Sequence, residues 1–303
     1  MEGIIPVWKP RGMTSHDVVF KLRKILKTKK VGHSGTLDPD VDGVLPICVG
    51  KATKVIEYIQ DSNKIYQGEV TLGFSTETED ASGEVVETSL LDQAVSTETI
   101  DEAMASFLGE ITQIPPMYSA VKVNGRRLYD YARKGEEVER PKRKAMIYEF
   151  SRQSEPTFSE GLQKWQFHVD CGKGTYVRTL AVDLGSKLGF QAHMSDLTRI
   201  KSGGFTKEEC FTIEEIALLM ELEREHEFLL PLERGLAEFP SITLTKEMYQ
   251  VVRNGSVLEE TFFEGDTIKE PTVLFYENQA VSIYGEHPTK KGLLKPVKVF
   301  RND

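Results

Sequence analysis

Long hydrophobic runs are absent from this sequence of 303 residues. No apolar stretch approaches the roughly 18 residues that a membrane-spanning helix needs. Residues 1–6 (MEGIIP) also lack the basic-then-apolar order of a secretory signal peptide. Hydrophobic residues make up 39% of the chain and charged residues 28%, which is the composition of an ordinary globular protein. We therefore expect a folded protein with no membrane partner.

Cysteine is also scarce. The chain has three cysteines, Cys48, Cys171 and Cys210, which lie far apart in the sequence. An odd number without a CxxC pair fits neither a disulfide framework nor a zinc site. Unpaired thiols are typical of a reducing compartment, so we expect a cytoplasmic protein with no bound metal.

An excess of positive charge is the third absence, since the formal net charge is −9. Phosphate binding depends on Lys and Arg, so the total alone argues against a nucleic-acid partner. The charges are segregated, however. Residues 208–238 hold ten Glu and two Arg, residues 21–30 hold six basic residues and no acid, and residues 122–144 hold nine basic residues against four acids. Both a basic binding face and two solvated helix faces are compatible with this pattern.

Periodicity predicts the main elements of the chain. Thr14 or Ser15 can cap a basic amphipathic helix, and residues 113–144, which are rich in turn formers and basic residues, predict an extended hairpin or arm. Further helices are predicted over residues 98–108 and 175–188, and strands over residues 45–49, 64–74 and 165–170.

The last part of the chain changes character. Short β-rich runs separated by Gly and Asn turns cover residues 272–276, 280–284 and 294–300. We therefore predict two domains, a large one over residues 1–238 and a small β-rich one over residues 239–303.

The densest motif is GHSGTLDPDVDGVLPICVGKATK, over residues 32–54. It is not a Walker A loop, because six residues separate Gly43 from Gly50 and Ala52 stands where the hydroxyl belongs. It is not a nucleophile elbow either, because Thr36 replaces the final glycine of G-x-S-x-G. What remains is Asp38, a carboxylate before a proline among glycines. Spacing alone leaves a catalytic role and an ordinary turn both open.

This run closely resembles the catalytic motif of the TruB-type tRNA pseudouridine synthases. The resemblance extends over nearly the whole chain through further motifs, namely KPRGMTS (residues 9–15), KIY (64–66), TETEDASG (76–83), PPMYSAVK (115–122) and GTYVRTL (174–180). The departures are few. Ser34 stands where the family usually has Thr, Val41-Asp42 replaces a pair of small residues, and Thr198 replaces the middle arginine of a Leu-Arg-Arg motif. The last departure weakens the expectation of a phosphate contact there.

The resemblance implies that the protein isomerises uridine 55 in the T-loop of tRNA, with Asp38 as the catalytic nucleophile. It implies that Arg178 pairs with Asp38, and a neighbouring cation lowers the pKa of a carboxyl group by about 1–3 units. Tyr66 is expected to lie against the flipped uracil, with a possible second role as a base. His33 is expected to help hold the T-loop open.

Further roles follow from the same resemblance. Leu197 is expected to wall the uracil pocket, and Asp80 to hold Arg178 or a neighbouring basic residue. Lys54 is expected to contact phosphate or support the site, and Lys9 and Tyr176 belong to matched motifs and are predicted to bind substrate. The isomerisation involves no redox step, so no cofactor and no metal are expected.

The fold implied is α+β, with a central mixed, mostly antiparallel sheet followed by a small β-rich, PUA-like domain. The expected partner is tRNA, bound through its T-arm and acceptor end by a monomer without an obligate protein partner. Two alternatives stay open. One is the subunit of a guide-RNA-dependent pseudouridine synthase, against which the arm and the short C-terminus argue. The other is a non-catalytic tRNA-binding or tRNA-folding protein, against which the presence of Asp38, Tyr66 and Arg178 argues.

Overall fold

The computed structural model describes residues 1–263 and 268–301. Strands are numbered along the chain: β1 Gly3–Lys9, β2 Val31–His33, β3 Asp42–Val49, β4 Lys64–Leu72, β5 Phe74–Thr76, β6 Val85–Thr88, β7 Gly109–Gln113, β8 Lys122–Val123, β9 Arg126–Arg127, β10 Arg143–Arg152, β11 Thr157–Ser159, β12 Leu162–Cys171, β13 Ala192–Ser202, β14 Phe205–Thr206, β15 Ser241–Thr243, β16 Leu258–Glu259, β17 Thr272–Tyr276, β18 Gln279–Glu286 and β19 Leu293–Val299. The α-helices are α1 Ser15–Ile25, α2 Ile56–Asp61, α3 Thr97–Ala105, α4 Leu128–Ala132, α5 Val177–Leu188, α6 Ile213–Glu221 and α7 Lys246–Val252. No helix in these parts of the chain is both long enough and apolar enough to cross a membrane.

A large mixed sheet forms the centre of the protein. Its strands follow the order β1-β3-β13-β4-β12-β10-β7, with β2, β14 and β11 paired at its margins. β3 and β13 run parallel and the other described pairs of this sheet run antiparallel. The prediction of a mixed, mostly antiparallel sheet in an α+β fold is confirmed.

Helices cover this sheet and bury its apolar side chains. α3 and α5 pack over the middle of the sheet around Trp165, Phe167 and Leu184. α1 packs with α6 beside β1 and β2, burying Val18, Val19 and Leu22. Thr14 is the N-cap of α1, and it forms a capping box with Asp17, which fixes where the helix begins.

The C-terminal part forms a second sheet in the order β15-β17-β18-β19-β16. It has a core of its own, which includes Val252, Leu274 and Tyr284. Its other apolar residues, among them Ile283 and Phe300, pack against the large domain. A small β-rich domain is therefore present. Residues 264–267 and 302–303 of the predicted 239–303 range lie outside the described residues.

The predicted arm begins with a tight hairpin and continues into a short helix that the sequence did not predict. β8 and β9 pair through Asn124 and Gly125, whose φ angles are 51° and 81°. Two positive φ angles in succession are the mark of a type I′ turn, for which Asn-Gly is the favoured pair. α4 follows at once, and the hydroxyl of its Tyr131 donates to the Val123 carbonyl, 3.1 Å away, which ties the helix back to the hairpin.

Candidate active site

The carboxylate of Asp38 faces the guanidinium of Arg178. Asp38 lies in the loop between β2 and β3, and Arg178 lies in the first turn of α5. Asp38 Oδ2 is 3.2 Å from Arg178 Nη2, and the two side chains are 43% and 9% exposed. The arginine is thus held in the protein interior while the carboxylate remains open to a ligand.

Arg178 is fixed by three further groups. Its Nη1 donates to the Thr78 carbonyl at 3.0 Å and its Nη2 to the Tyr118 carbonyl at 3.1 Å. Asp80 Oδ2 lies 3.5 Å from Nη1, while Asp80 Oδ1 accepts bonds from its own loop. The structure therefore brings Asp80 to Arg178, and it leaves the guanidinium little freedom to move away from Asp38.

The loop that carries Asp38 is held through its backbone on both sides. Ser15, the first residue of α1, accepts a bond from the Leu37 amide at 2.9 Å and donates to the Leu37 carbonyl at 3.3 Å. The Pro39 carbonyl accepts from Lys9 Nζ at 3.1 Å and from the Gly12 amide at 2.8 Å. The backbone on both sides of Asp38 is therefore fixed, while its carboxylate pairs with Arg178.

Lys9 is fully buried, with its amine bonded to the carbonyls of Pro10, Met13 and Pro39. Burial lowers the pKa of this lysine to about 8. These bonds make Lys9 a support of the loop that carries Asp38, and the binding of substrate by Lys9 stays a prediction.

Arg199 also contacts this loop from below, and sequence reasoning missed it. The residue is 1% exposed, and its Nε donates to the Val44 carbonyl at 2.8 Å. Its Nη1 and Nη2 donate to the carbonyls of Thr36 and Gly35 at 3.4 and 3.3 Å. A signal was present, because a strand places residues i and i+2 on the same face and Leu197 is buried.

Burial dominates the electrostatics of Asp38. Desolvation raises the pKa of its carboxyl above the ordinary value, and the charge of Arg178 lowers it in opposition. The sequence-based expectation of a lowered pKa considered the arginine alone. The net direction is upward because the partly buried carboxyl group is desolvated and Asp80 adds a like charge.

Tyr66, Leu197 and His33 surround the same region. Tyr66 on β4 and Leu197 on β13 are 8% and 7% exposed, and both belong to the apolar cluster that includes Leu37 beside Asp38. His33 ends β2, and burial together with the charge of Arg199 lowers its pKa. A histidine with a lowered pKa is uncharged at neutral pH, which suits packing against a base.

Two other predicted contacts have different surroundings. Lys54 Nζ donates to the carbonyls of Val299 and Phe300 at 3.0 and 3.3 Å. These bonds link Lys54 to the small domain. Tyr176 precedes α5, and both its backbone amide and its carbonyl bond to the side chain of Gln113, each at 3.0 Å.

Sequence reasoning also missed a second link between the Asp80 loop and α5. Thr179 Oγ1 donates to Glu79 Oε2 at 2.7 Å, one residue after Arg178. Burial raises the pKa of the Glu79 carboxyl. Glu79 has a φ of 65°, which turns the loop so that neighbouring residues 79 and 80 both face α5.

An open cleft of about 700 Å³ lies between the arm and the loop that follows β5. Tyr118 and Arg140 of the arm line the cleft together with Glu77, whose carboxylate accepts a hydrogen bond from the Tyr118 hydroxyl at 3.4 Å. Since Tyr118 is also bonded to Arg178 through its carbonyl, the cleft adjoins the Asp38–Arg178 pair. The basic arm is therefore attached directly to the site. Among the described residues, no three His, Cys, Asp or Glu side chains are grouped to hold a metal ion.

Two family models match the sequence of this chain. Residues 23–177 match the model of the TruB family pseudouridylate synthase N-terminal domain. Residues 178–237 match the model of the tRNA pseudouridylate synthase B C-terminal domain. The boundary between the two matches falls immediately before Arg178.

Curated relatives match over the whole length. The tRNA pseudouridine synthase B of Halalkalibacterium halodurans is 52% identical over 303 residues, which covers 100% of this chain and 99% of that protein. The tRNA pseudouridine synthase B of Streptococcus mutans is 52% identical over 300 residues, covering 99% of each chain.

Solved structures agree. A Cbf5-Nop10-Gar1 complex contains a chain that aligns with a TM-score of 0.74 at 28% identity, covering 99% of this chain and 86% of that one. An H/ACA RNP bound to a substrate RNA containing 2′-deoxyuridine aligns with a TM-score of 0.73 at 25% identity, covering 99% of this chain and 86% of that one. With its motifs, its site and these full-length matches, the chain belongs to the TruB family of pseudouridylate synthases.

Proposed function

We propose that this protein converts uridine 55 in the T-loop of tRNA to pseudouridine, with Asp38 as the nucleophile. The observation that carries the proposal is the Asp38–Arg178 pair, 3.2 Å apart, in which only the carboxylate is open to a ligand. Full-length relatives about half identical to this chain bear the name tRNA pseudouridine synthase B, which supports tRNA as the substrate.

The reaction needs a carboxylate that is fixed and ionised. The N1–C1′ bond of uridine breaks, the uracil turns over, and a C5–C1′ bond forms, while C5 loses its hydrogen and N1 gains one. Asp38 either attacks the ribose or begins an elimination there, and both routes use its anionic form. Arg178 favours that form and orients it through a charge-assisted hydrogen bond.

The base must first leave its stack in the folded loop and enter a pocket. Tyr66 then lies against the flipped uracil, where stacking on an aromatic ring contributes roughly 1–3 kcal/mol per base. Leu197 forms part of the pocket wall, and uncharged His33 occupies stacking space in the opened T-loop. Tyr176, bonded through its backbone to Gln113, is presented to the substrate at the start of α5.

The remaining surfaces bind the RNA without reading its sequence. We assign phosphate contacts to the arm and to the exposed lysines of α1, and contact with the acceptor end to the small β-rich domain. The domain boundary is proposed near residue 238, where the second family match ends at 237. The protein is proposed to act in the cytoplasm as a monomer without an obligate partner.

A stand-alone enzyme is favoured over a guide-dependent subunit. The chains of the Cbf5-Nop10-Gar1 complex and of the H/ACA RNP align at 28% and 25% identity, whereas the relatives named tRNA pseudouridine synthase B share 52%. The arm, with its hairpin and α4, gives the chain its own means of gripping an RNA loop.

The test uses an unmodified tRNA transcript that carries tritium at C5 of uridine. Joining C5 to the ribose expels that hydrogen, so tritium release reports the reaction. We expect release by the wild type, none by Asp38→Asn, and none from a transcript with cytidine at position 55. Tritium release from the cytidine transcript would refute position 55 as the site of modification. Absence of release by folded, tRNA-binding wild type would refute the stand-alone enzyme and favour the guide-dependent or tRNA-folding alternatives.

A further inference from the structure

Arg199 is a buried cation whose described hydrogen-bond acceptors are neutral. It is 1% exposed and donates to the carbonyls of Gly35, Thr36 and Val44. Within residues 1–263 and 268–301, no carboxylate oxygen lies within the 4.0 Å of an ion pair with it. Proteins rarely bury a charge without an opposite one, because desolvation is costly. The burial of an unpaired guanidinium therefore indicates that Arg199 has a specific role.

The register places Arg199 where three strands meet below the catalytic loop. It pairs with Tyr66 on β4 in one direction and with Gly43 on β3 in the other. A Cβ at Gly43 would lie 2.2 Å from the Arg199 carbonyl oxygen, so only glycine allows β3 to approach this closely. The guanidinium therefore sits between the strand that carries Tyr66 and the loop that carries Asp38.

The loop is shaped to pass directly over this guanidinium. Gly35 has a φ of 97°, a conformation that side-chain-bearing residues adopt with strain. A Cβ there would lie 3.6 Å from Arg199 Nη1. The carbonyls of Gly35 and Thr36 consequently point down to the arginine, three and two residues before Asp38.

The same guanidinium acts on the Tyr66 hydroxyl. Burial raises the pKa of Tyr66, while the charge of Arg199 and a hydrogen bond from its side chain lower it. Arg199 thus bonds to the backbone of the loop that carries Asp38 and is the direct neighbour of Tyr66 on the adjacent strand.

We infer that Arg199 is a positioning residue that fixes the separation between the Asp38 loop and Tyr66, so that the ribose and the uracil of one nucleotide meet both groups together. The inference rests on the proposed function. The planar guanidinium of Arg199 suits the role, because each of its three nitrogens donates to a different carbonyl, two in the loop and one on β3.

Lys64 provides a matched control for the loss of a buried cation. It is 7% exposed, and its amine donates to the carbonyls of Gln60 and Ser62 at 2.6 and 2.7 Å. Those acceptors lie at the end of α2 and not in the loop that carries Asp38. Lys64→Met therefore removes a buried cation from the same region while it leaves the hydrogen bonds from Arg199 to the loop in place.

The experiment measures single-turnover tritium release and tRNA binding for Arg199→Lys and Lys64→Met, each assayed equally far below its melting temperature. We expect Arg199→Lys to slow the chemical step by roughly 10- to 100-fold, with a tRNA dissociation constant within about threefold of wild type. Lys64→Met is expected to stay within about threefold in both. Equal slowing of the two variants would overturn the inference, since it would reduce Arg199 to a stability contribution.

A double-variant comparison separates positioning from general weakening. If Arg199 sets the geometry between Asp38 and Tyr66, Arg199→Lys will slow Tyr66→Phe enzyme less than it slows the wild type. If Arg199→Lys slows the wild type and the Tyr66→Phe enzyme by the same factor, the inference is overturned. If Arg199→Lys fails to fold, Gly35→Ala tests the loop side of the contact, and wild-type chemistry in that variant would also overturn it. Tritium release by the wild type itself tests the proposed function separately.

Discussion

At the scale of single residues, the active carboxylate is controlled by two opposed effects. Desolvation raises the pKa of Asp38 and Arg178 lowers it, with the rise prevailing. The ionised form is the active one, so activity is lost as the pH falls through this raised pKa. The loss therefore begins at a higher pH than for an ordinary aspartate, whose pKa is about 3.9.

We predict that in Arg178→Gln the activity is lost at a still higher pH as the pH falls. The substitution removes the positive charge that lowers the pKa of Asp38, while it keeps a hydrogen-bond donor. The measurement is the pH dependence of single-turnover tritium release in wild type and variant. A matched control is Arg152→Gln, whose arginine pairs with Asp101 on the surface at 2.9 Å. An unshifted pH dependence in Arg178→Gln would show that Arg178 does not act on the ionisation of Asp38.

Arg178→Lys is predicted to keep the positive charge and to lose the arrangement of hydrogen bonds that the guanidinium makes. A lysine cannot reach Asp38, the Thr78 carbonyl and the Tyr118 carbonyl together, as the guanidinium does. We expect the single-turnover rate to fall by about 10²-fold with little change in tRNA affinity. A large loss of affinity at an unchanged rate would instead place Arg178 in RNA binding.

Resemblance predicted the partners Asp38 and Arg178, and the structure places them in contact. The resemblance did not predict the role of Arg199, because the Leu-Arg-Arg motif suggests a phosphate contact. The Arg199 side chain instead points inward from its strand. The resemblance also could not show that the amines of Lys9 and Lys54 bond to backbone carbonyls, since a sequence does not show which lysines fold onto the main chain. Contacts between distant segments depend on register, and local patterns do not contain register.

At the scale of elements, the first turn of α1 is bonded to the loop that carries Asp38. Its N-cap, Thr14, secures the first turn, and the next residue, Ser15, bonds to both backbone groups of Leu37. Helix and loop are therefore coupled at one point. The periodicity of the sequence predicted the helix and its cap, while the bond from Ser15 to Leu37 spans 22 residues and could not be predicted locally.

Ser15→Ala should leave the Leu37 amide without its partner in a buried position. A buried unsatisfied group costs about 1–3 kcal/mol, so we expect that loss in the free energy of unfolding. Denaturant unfolding measures it, and the rate of tritium release should fall as the loop loosens. Thr14→Ser, which keeps the cap hydroxyl, is the control and should change the stability by less than about 0.5 kcal/mol. Equal stability of the two variants would contradict the coupling.

At the scale of the whole molecule, the small domain is tied to the body through backbone and side-chain contacts of different kinds. Lys54 bonds to the carbonyls of Val299 and Phe300, whereas Lys298 pairs with Glu57 on the surface at 2.7 Å. A surface ion pair contributes little, with a median of about 0–1 kcal/mol. The buried carbonyls lose more if their donor is removed.

Lys54→Met is therefore predicted to destabilise the junction of the two domains more than Lys298→Met does. The expected result is faster proteolysis between residues 239 and 301 and weaker tRNA binding, while single-turnover chemistry at saturating enzyme is unchanged. The salt dependence of tRNA binding should also be unchanged, because Lys54 is not proposed to touch phosphate. A shallower dependence would restore Lys54 as an RNA contact.

The segregated charge makes a separate prediction. Lys21 and Lys24 are exposed on α1, and Lys27 is exposed just after its C-terminal end. Replacing one of them with Gln should weaken tRNA binding and lower the slope of log K against log salt by roughly 0.7–0.9, as one phosphate contact is lost. Lys187→Gln, outside both basic segments, is the control. Equal slopes for all variants would exclude α1 from the interface.

The way the catalytic loop is anchored has a consequence for how this sequence can diverge. Ser15, Lys9 and Arg199 all bond to the main chain of the loop and to none of its side chains. The geometry therefore depends little on the exposed side chain of Thr36, whereas Gly35 is needed for the turn and Leu37 and Val41 are buried in the core. A saturation library across the loop should accept many substitutions at exposed Thr36 while rejecting most at Gly35, so the loop can drift in sequence while its shape is inherited unchanged.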